Sequence, residues 1–194
     1  MRKLRVTVDL DNVMNDLTET LLEIYNKDAN DNLTIEEVTK YKIDNFTKEG
    51  YKISEYFQSP ALWMRVNPLY QSHEYLKIIN DDYDLRVVSA SHLGDMPVKY
   101  RWIKTYFNFL KREQIWTVFD KDWIDSDVHI DDGLFNLVGA KYHKICLDYP
   151  WNRDVNDKDE GIVRCFNWGD IFKEIKRFDK ERKLKNLKGL VIKT

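Results

Sequence analysis

Residues 5–16 read RVTVDLDNVMND: an apolar, β-prone run that delivers two aspartates, Asp9 and Asp11, at its end. Carboxylates at the end of an apolar strand are costly unless something uses or neutralises them. In an extended chain, residues i and i+2 point to the same side, so both carboxylates can face one small volume. A third acid, Asp16, falls where a helical pattern begins; there a negative charge suits the helix dipole, and it is read as outside the cluster.

Working outward, the rest of the chain supplies a sheet for that strand. Residues 17–25 place Leu17, Leu21, Ile24 and Tyr25 on one helical face. Thr34 to Glu37 has the spacing of a capping box and predicts a second helix. Asn67-Pro68 reads as a cap followed by proline at the first helical position, predicting a helix to about Asn80. The rhythm then changes. LRVVSAS (85–91), WTVF (116–119), DVHI (127–130), KICL (144–147) and IVRCF (162–166) read as strands. Segments 97–110, 133–140 and 168–178 read as helices between or after them. Strands alternating with helices predict an α/β fold with a parallel sheet. Roughly 75 residues separate the first strand from the next, far more than the dozen or so that a crossover needs. The expectation is a three-layer, Rossmann-like core (1–14 and 76–194) with a small, mainly helical cap (15–75) inserted after the first strand.

Composition narrows the function classes. The chain has 194 residues, 43% hydrophobic and 33% charged, the balance of a soluble globular protein. No apolar run approaches the roughly 20 residues of a membrane helix, and no signal region follows the initial Met-Arg-Lys, so a cytoplasmic protein without a membrane partner is expected. Cys146 and Cys165 each lie in an apolar strand-like run and are read as free thiols in a reducing compartment. A net charge of −2 gives no global attraction to nucleic acid. The basic C-terminal stretch from Lys173 onward reads as a solvated helix with a loose end.

In an open parallel sheet, ligands bind beyond the carboxyl ends of the strands. Asp9 and Asp11 end the first strand, Ser89-Ala90-Ser91 the second, and Asp131-Asp132-Gly133 follow DVHI. Lys99 opens the helix after the second strand. Crowded carboxylates repel and call for protons or a cation; oxygen-only ligands suit Mg²⁺. His92 is read as a bystander and His129 as strand packing.

These residues carry a resemblance. VDLDNV, VVSAS, the lysine of PVKYRWIKTYF and HIDDG appear in the order of the four motifs of the haloacid-dehalogenase-like phosphohydrolases. The chain is most similar to the 5'(3')-deoxyribonucleotidase family within that superfamily, through KYRWIKTYF, ALWMRVNPL, LDYPWNRD and RCFNWGDI. The resemblance implies a Mg²⁺-dependent phosphomonoesterase. Asp9 would be the nucleophile that forms an aspartyl-phosphate, and Asp11 the general acid and then base. Asp9, the main-chain carbonyl of Asp11, and Asp132 would hold the metal, with Asp131 supporting. Ser89 and the amide of Ala90 would bind phosphoryl oxygens, with Lys99 offsetting their charge. The family carries Thr-Ser where this chain has Ser89-Ala90, so one hydroxyl is lost and Ser91 is the candidate to replace it. Phe57, Trp63 and Arg65 are the cap's candidates for substrate contact.

The alternatives are a phosphatase of another small phosphomonoester, such as a sugar phosphate, and a non-catalytic phosphate-binding module. A nuclease would need a basic surface along a polynucleotide, which this composition does not supply. Base, sugar and phosphate-position preferences are open from sequence, and so is assembly, a homodimer included.

Overall fold

The computed structural model describes residues 2–90, 94–118 and 120–191. The elements run β1 (Arg5–Val8), α1 (Leu17–Ala29), the one-turn α2 (Pro60–Trp63), α3 (Ser72–Asp82), β2 (Asp84–Ser89), α4 (Met96–Tyr106), β3 (Ile115–Thr117), β4 (Val128–Asp131), β5 (His143–Leu147), the short α5 (Asp157–Glu160), β6 (Ile162–Cys165) and α6 (Trp168–Val191). Every strand pairing is parallel, and the sheet order is β3-β2-β1-β4-β5-β6. The α/β fold with a parallel sheet is therefore as the sequence predicts.

Strand order explains where a ligand can sit. β1 pairs with β2 on one side and β4 on the other, so the connections run away from β1 in both directions. That reversal opens a crevice at the carboxyl ends of β1 and β4. Val6, Val8, Leu85, Val87, Ile130 and Ile145 are fully buried around it. α3 packs on β2 and on α6, and α6 packs on β5 and β6. At the start of α6, Trp168 is buried and its indole N–H donates to the carbonyl of Val13 at 3.0 Å. The FNWGDI segment thus pins the loop that follows β1.

Between α1 and α2 the chain is irregular, with one-turn 3₁₀ helices at Ile35–Glu37, Ile43–Phe46 and Ile53–Gln58. Tyr25 of α1 anchors it: its hydroxyl donates to Asp31 at 2.5 Å and accepts the Lys48 amide at 2.8 Å. Thr34 and Glu37 do bond, the Thr34 amide and hydroxyl both donating to the Glu37 carboxylate at 2.8 and 2.7 Å. The predicted second helix nonetheless stops after one turn, because none of its residues is buried and no apolar face carries it onward.

Three other elements differ from expectation. Asn67-Pro68 starts no helix. Pro68 bridges Asn15, and Asn67 exchanges bonds with Asp16: its amide donates to Oδ1 at 2.7 Å, and its carbonyl takes the Asp16 amide at 3.0 Å. The helix begins at Ser72 after Gln71, which lies at φ 62°. Residues 133–140 form only a 3₁₀ turn, Leu134–Asn136, because Leu137 alone of its large side chains is fully buried and Gly139 reverses the chain at φ 75°. Conversely, α6 runs well past Phe178, to Val191. Cys146 and Cys165 are buried free thiols. No helix among the described residues is long and apolar enough to cross a membrane.

Candidate active site

β1 ends at Val8, and the Asp9 amide extends its ladder by donating to the Ile130 carbonyl at 2.9 Å. The chain then turns at once, because Asn12 takes the left-handed conformation at φ 58°, which asparagine tolerates better than most residues. Both ends of its side chain are engaged: Oδ1 accepts the Thr18 amide at 2.9 Å and Nδ2 donates to Asp132 Oδ2 at 3.3 Å. One residue thereby ties β1's loop to α1 and to the end of β4.

Two carboxylate–lysine pairs result. Lys99 Nζ lies 2.5 Å from Asp11 Oδ2 and 3.2 Å from Ser89 Oγ. Lys121 Nζ lies 2.6 Å from both Asp9 Oδ1 and Asp131 Oδ2. Lys121 was not singled out by the sequence. It sits in the 3₁₀ turn Lys121–Trp123 just beyond β3. The rule that found the ends of β1, β2 and β4 finds it too, once applied to the polar residues that follow WTVF.

Asp9, Asp131 and Asp132 are all buried, and each offers an oxygen within 4.8 Å of the others. Burial pushes the Asp9 carboxyl up to about 7, with Asp131 and Asp11 adding to the rise and Lys121 opposing it. Burial, then repulsion from Asp131 and Asp9, likewise raises Asp132 well above the usual carboxylate range. For Asp131 burial acts in the same sense, but Lys121 and His129 outweigh it and hold the group low. Burial disfavours charged Lys121, yet Asp131 and Asp9 hold its proton more tightly than in water. Two of the three carboxylates thus share one buried lysine and the third stands beside them without it, so the excess negative charge falls on an all-oxygen donor set. That chemistry fits a hard divalent cation such as Mg²⁺. Asp11 Oδ1 is also buried with no hydrogen-bond partner in the described structure.

The LDYPWNRD segment buttresses Asp132. Trp151 donates its indole N–H to Asp132 Oδ2 at 3.0 Å and stacks on Tyr149 at 4.3 Å between centroids. Asn152 donates to the main-chain carbonyl of Asp132 at 2.9 Å, and Arg164 grips Asn152 in turn.

A cavity of about 540 Å³ opens from these groups, with Asp11, Lys99 and Ala90 at one end and Leu21, Val38, Ile43 and Phe57 along its walls. Of the cap's three candidates, Phe57 lines this cavity. Trp63 and Arg65 do not. Trp63 is buried behind Lys99, its indole N–H donating to the Phe57 carbonyl at 3.0 Å, and it lines a separate groove between α2 and α4. Arg65 turns outward to Glu23, 3.0 Å away. Both are corrections: the tight turn at 59–66 spends Trp63 on packing and leaves Arg65 in solvent. Ser91 and His92 lie outside the described residues. His129 is buried but does more than pack, bonding to Asp131.

The family model for "5' nucleotidase, deoxy (Pyrimidine), cytosolic type C protein" matches residues 2–180. The chain belongs to that family. It is a hydrolase of phosphomonoesters with the haloacid-dehalogenase-like fold. A 5'(3')-deoxyribonucleotidase of Clostridium acetobutylicum is 27% identical over 170 residues, covering 87% of this chain and 92% of its own. One from Bacillus subtilis is 25% identical over 172 residues, covering 88% and 97%. Among solved structures, a haloacid dehalogenase-like hydrolase from Streptococcus pneumoniae superposes with a TM-score of 0.59 at 12% identity, covering 89% of this chain and 98% of its own. One from Xanthomonas campestris gives 0.55 at 13% identity, covering 93% and 98%. These likenesses extend the fold from the sheet to nearly the whole chain.

Proposed function

We propose that this nucleotidase-family hydrolase is a Mg²⁺-dependent, cytoplasmic 5'(3')-deoxyribonucleotidase that works through an aspartyl-phosphate on Asp9. The observation that carries the reading is the pairing of Asp9 with Lys121 and of Asp11 with Lys99, which also reaches Ser89, with Asp11 and Lys99 lining one cavity. A volume of about 540 Å³ is within the usual range for a small-molecule pocket. In this reading residues 15–75 form a cap whose apolar walls, Leu21, Val38, Ile43 and Phe57, face the base and sugar.

Chemistry follows from the two acids. Lys121 holds Asp9 in place while Asp9 Oδ attacks phosphorus; the new O–P bond forms as the bond to the sugar oxygen breaks. The incoming phosphoryl group competes with Asp11 for Lys99 and Ser89, and Asp11, in its protonated form, gives its proton to the leaving alkoxide. Asp11 then takes a proton from the water that cleaves the aspartyl-phosphate, releasing phosphate and restoring Asp9. Asp9, Asp132 and the main-chain carbonyl of Asp11 would hold Mg²⁺, with Asp131 behind them; when bound, the cation offsets repulsion between nucleophile and phosphate.

The test is phosphate release from a panel of deoxy- and ribonucleoside 5'- and 3'-monophosphates, sugar phosphates and an aryl phosphate, with and without Mg²⁺. Deoxynucleotides turned over best, and only with the metal, is the expected result. Far better turnover of sugar phosphates would overturn the substrate, and no turnover of any ester would overturn the mechanism. In the same assay, a wild-type rate for Asp11→Asn would refute its acid–base role.

A further inference from the structure

We propose that His129 is a positioning residue: its Nε2–H holds Oδ2 of Asp131, and Asp131 so held carries Lys121 to the nucleophile Asp9. The inference rests on the reading of Asp9 as the nucleophile. Its starting point is the crowding of Asp131 Oδ2. Oδ2 faces Lys121 Nζ at 2.6 Å, His129 Nε2 at 2.8 Å and Asn136 Nδ2 at 3.1 Å, while Oδ1 accepts the Gly133 amide at 2.8 Å. An ionised carboxylate accepts at about four lone-pair positions and donates at none. Protein groups therefore crowd Oδ2 with three contacts and take one position on Oδ1. Asp132 differs, since its described side-chain hydrogen bonds, from Trp151 and Asn12, both fall on Oδ2. The two neighbours thus divide the work: Asp131 holds protein and Asp132 faces the site.

The imidazole is fixed from three sides. β1 and β4 pair in register with Thr7 opposite His129, so their side chains lie next to each other on one face of the sheet. Thr7 Oγ1 lies 2.8 Å from His129 Nδ1, and Ser126 Oγ backs Thr7 at 2.9 Å. Tyr142 meets the ring edge-on at 5.1 Å between centroids, and its hydroxyl donates to the Asn136 carbonyl. Tyr142 therefore braces two of the groups that bond to Asp131. Turning the imidazole over would put carbon atoms against both Asp131 and Thr7. Since Asp131 Oδ2 only accepts, Nε2 carries the hydrogen. A valine or isoleucine would fill this strand position without burying a polar group of its own; a fully bonded imidazole aims a donor at the carboxylate that grips Lys121 together with Asp9.

The test combines substitution with direct observation of the proton. In ¹⁵N-histidine-labelled protein the His129 signal, assigned by its loss in His129→Leu, should show a proton on Nε2. A signal with Nδ1–H alone would overturn the proposal, whatever the enzyme acts on. At saturating Mg²⁺, His129→Leu should lower kcat about 10- to 100-fold with KM changed less than about threefold, the scale of losses when a group behind a catalytic ligand is removed. His129→Gln, which can return an N–H to Asp131, should regain most of that kcat. A purely structural role predicts the reverse: both variants losing thermal stability, with kcat per folded molecule within about threefold of wild type. If the wild type releases no phosphate from any ester, the proposed function falls, while the proton position still decides whether His129 donates to Asp131.

Discussion

Asp9 and Asp11 stand two residues apart, each with a lysine on it, and there the likeness ends. Asp9's side chain is 9% exposed and its lysine 2%, and that lysine is shared with Asp131. Asp11's side chain is 22% exposed, and its lysine also reaches Ser89. The buried pair sits in a medium where charge interactions are strong and neither partner can turn to water. The outer pair can exchange partners when an anion enters. With Asp9 as the proposed nucleophile and Asp11 as the proposed acid, these opposite surroundings suit a rigid group and a releasable one, although Leu10 alone stands between them.

The hardest blow to that contrast is Asp9→Asn. We expect phosphate release to fall by on the order of 10⁴-fold or more, as when a nucleophile is removed elsewhere, with the circular dichroism of a folded protein. Normal turnover would end the assignment. The lysines come next. Lys121→Met leaves Asp9 and Asp131 buried without their partner, so we expect kcat about 10²–10³-fold lower and stability about 3–5 kcal/mol lower. Lys99→Met should cost a similar factor in kcat/KM yet less stability than Lys121→Met, since it strips the partner from one carboxylate rather than two, and that one is 22% exposed. Urea unfolding alongside kinetics separates the two; equal stability losses would erase the difference between the pairs.

Smaller effects probe the surroundings. Phe57→Ala touches neither pair, and should raise KM for a deoxynucleotide about tenfold, the lower part of the range for lost base stacking, while leaving an aryl phosphate's kcat unchanged. An equal effect on both substrates would place Phe57 in packing alone. Smallest is Asp148, which supports Arg164 from outside the site. Burial works against its charge, but Arg153 and Arg164 outweigh burial and hold its carboxyl below the ordinary range. Its stabilisation is therefore full above the unfolded value near 3.9 and fades as pH falls through the lower folded value. Asp148→Asn should flatten the acid limb of a stability–pH curve; an unchanged limb would show that the ion pairs add nothing.

Much of this was legible because strands announce themselves by run length and the residues that end them. Asp9, Asp11, Ser89, Asp131 and Asp132 stand at the ends of apolar runs, and Lys99 opens the helix after the second of them. Lys121 escaped because β3 is only three residues long and its lysine follows in a turn with no periodicity. The reading of 133–140 as a helix followed spaced apolar residues, yet Phe135 and Val138 face solvent and Asn136 bends back to Asp131. Trp63 and Arg65 went astray because aromatic and basic residues look alike in sequence whether they line a cavity or the back of its wall. His129 looked like packing because alternation reports which face a side chain occupies, not what it bonds to.

The reversal of strand order at β1 also has a consequence for how the chain comes into being. β1 emerges first, but its neighbours are β2 and β4, and the groups around Asp9 arrive at residues 99, 121, 131 and 151. A growing chain thus carries its most crowded acids for most of its synthesis without the lysine and strand that confine them, and long-range pairings of this kind close late. The groups around Asp9 therefore cannot assemble until the chain has been made through residue 151.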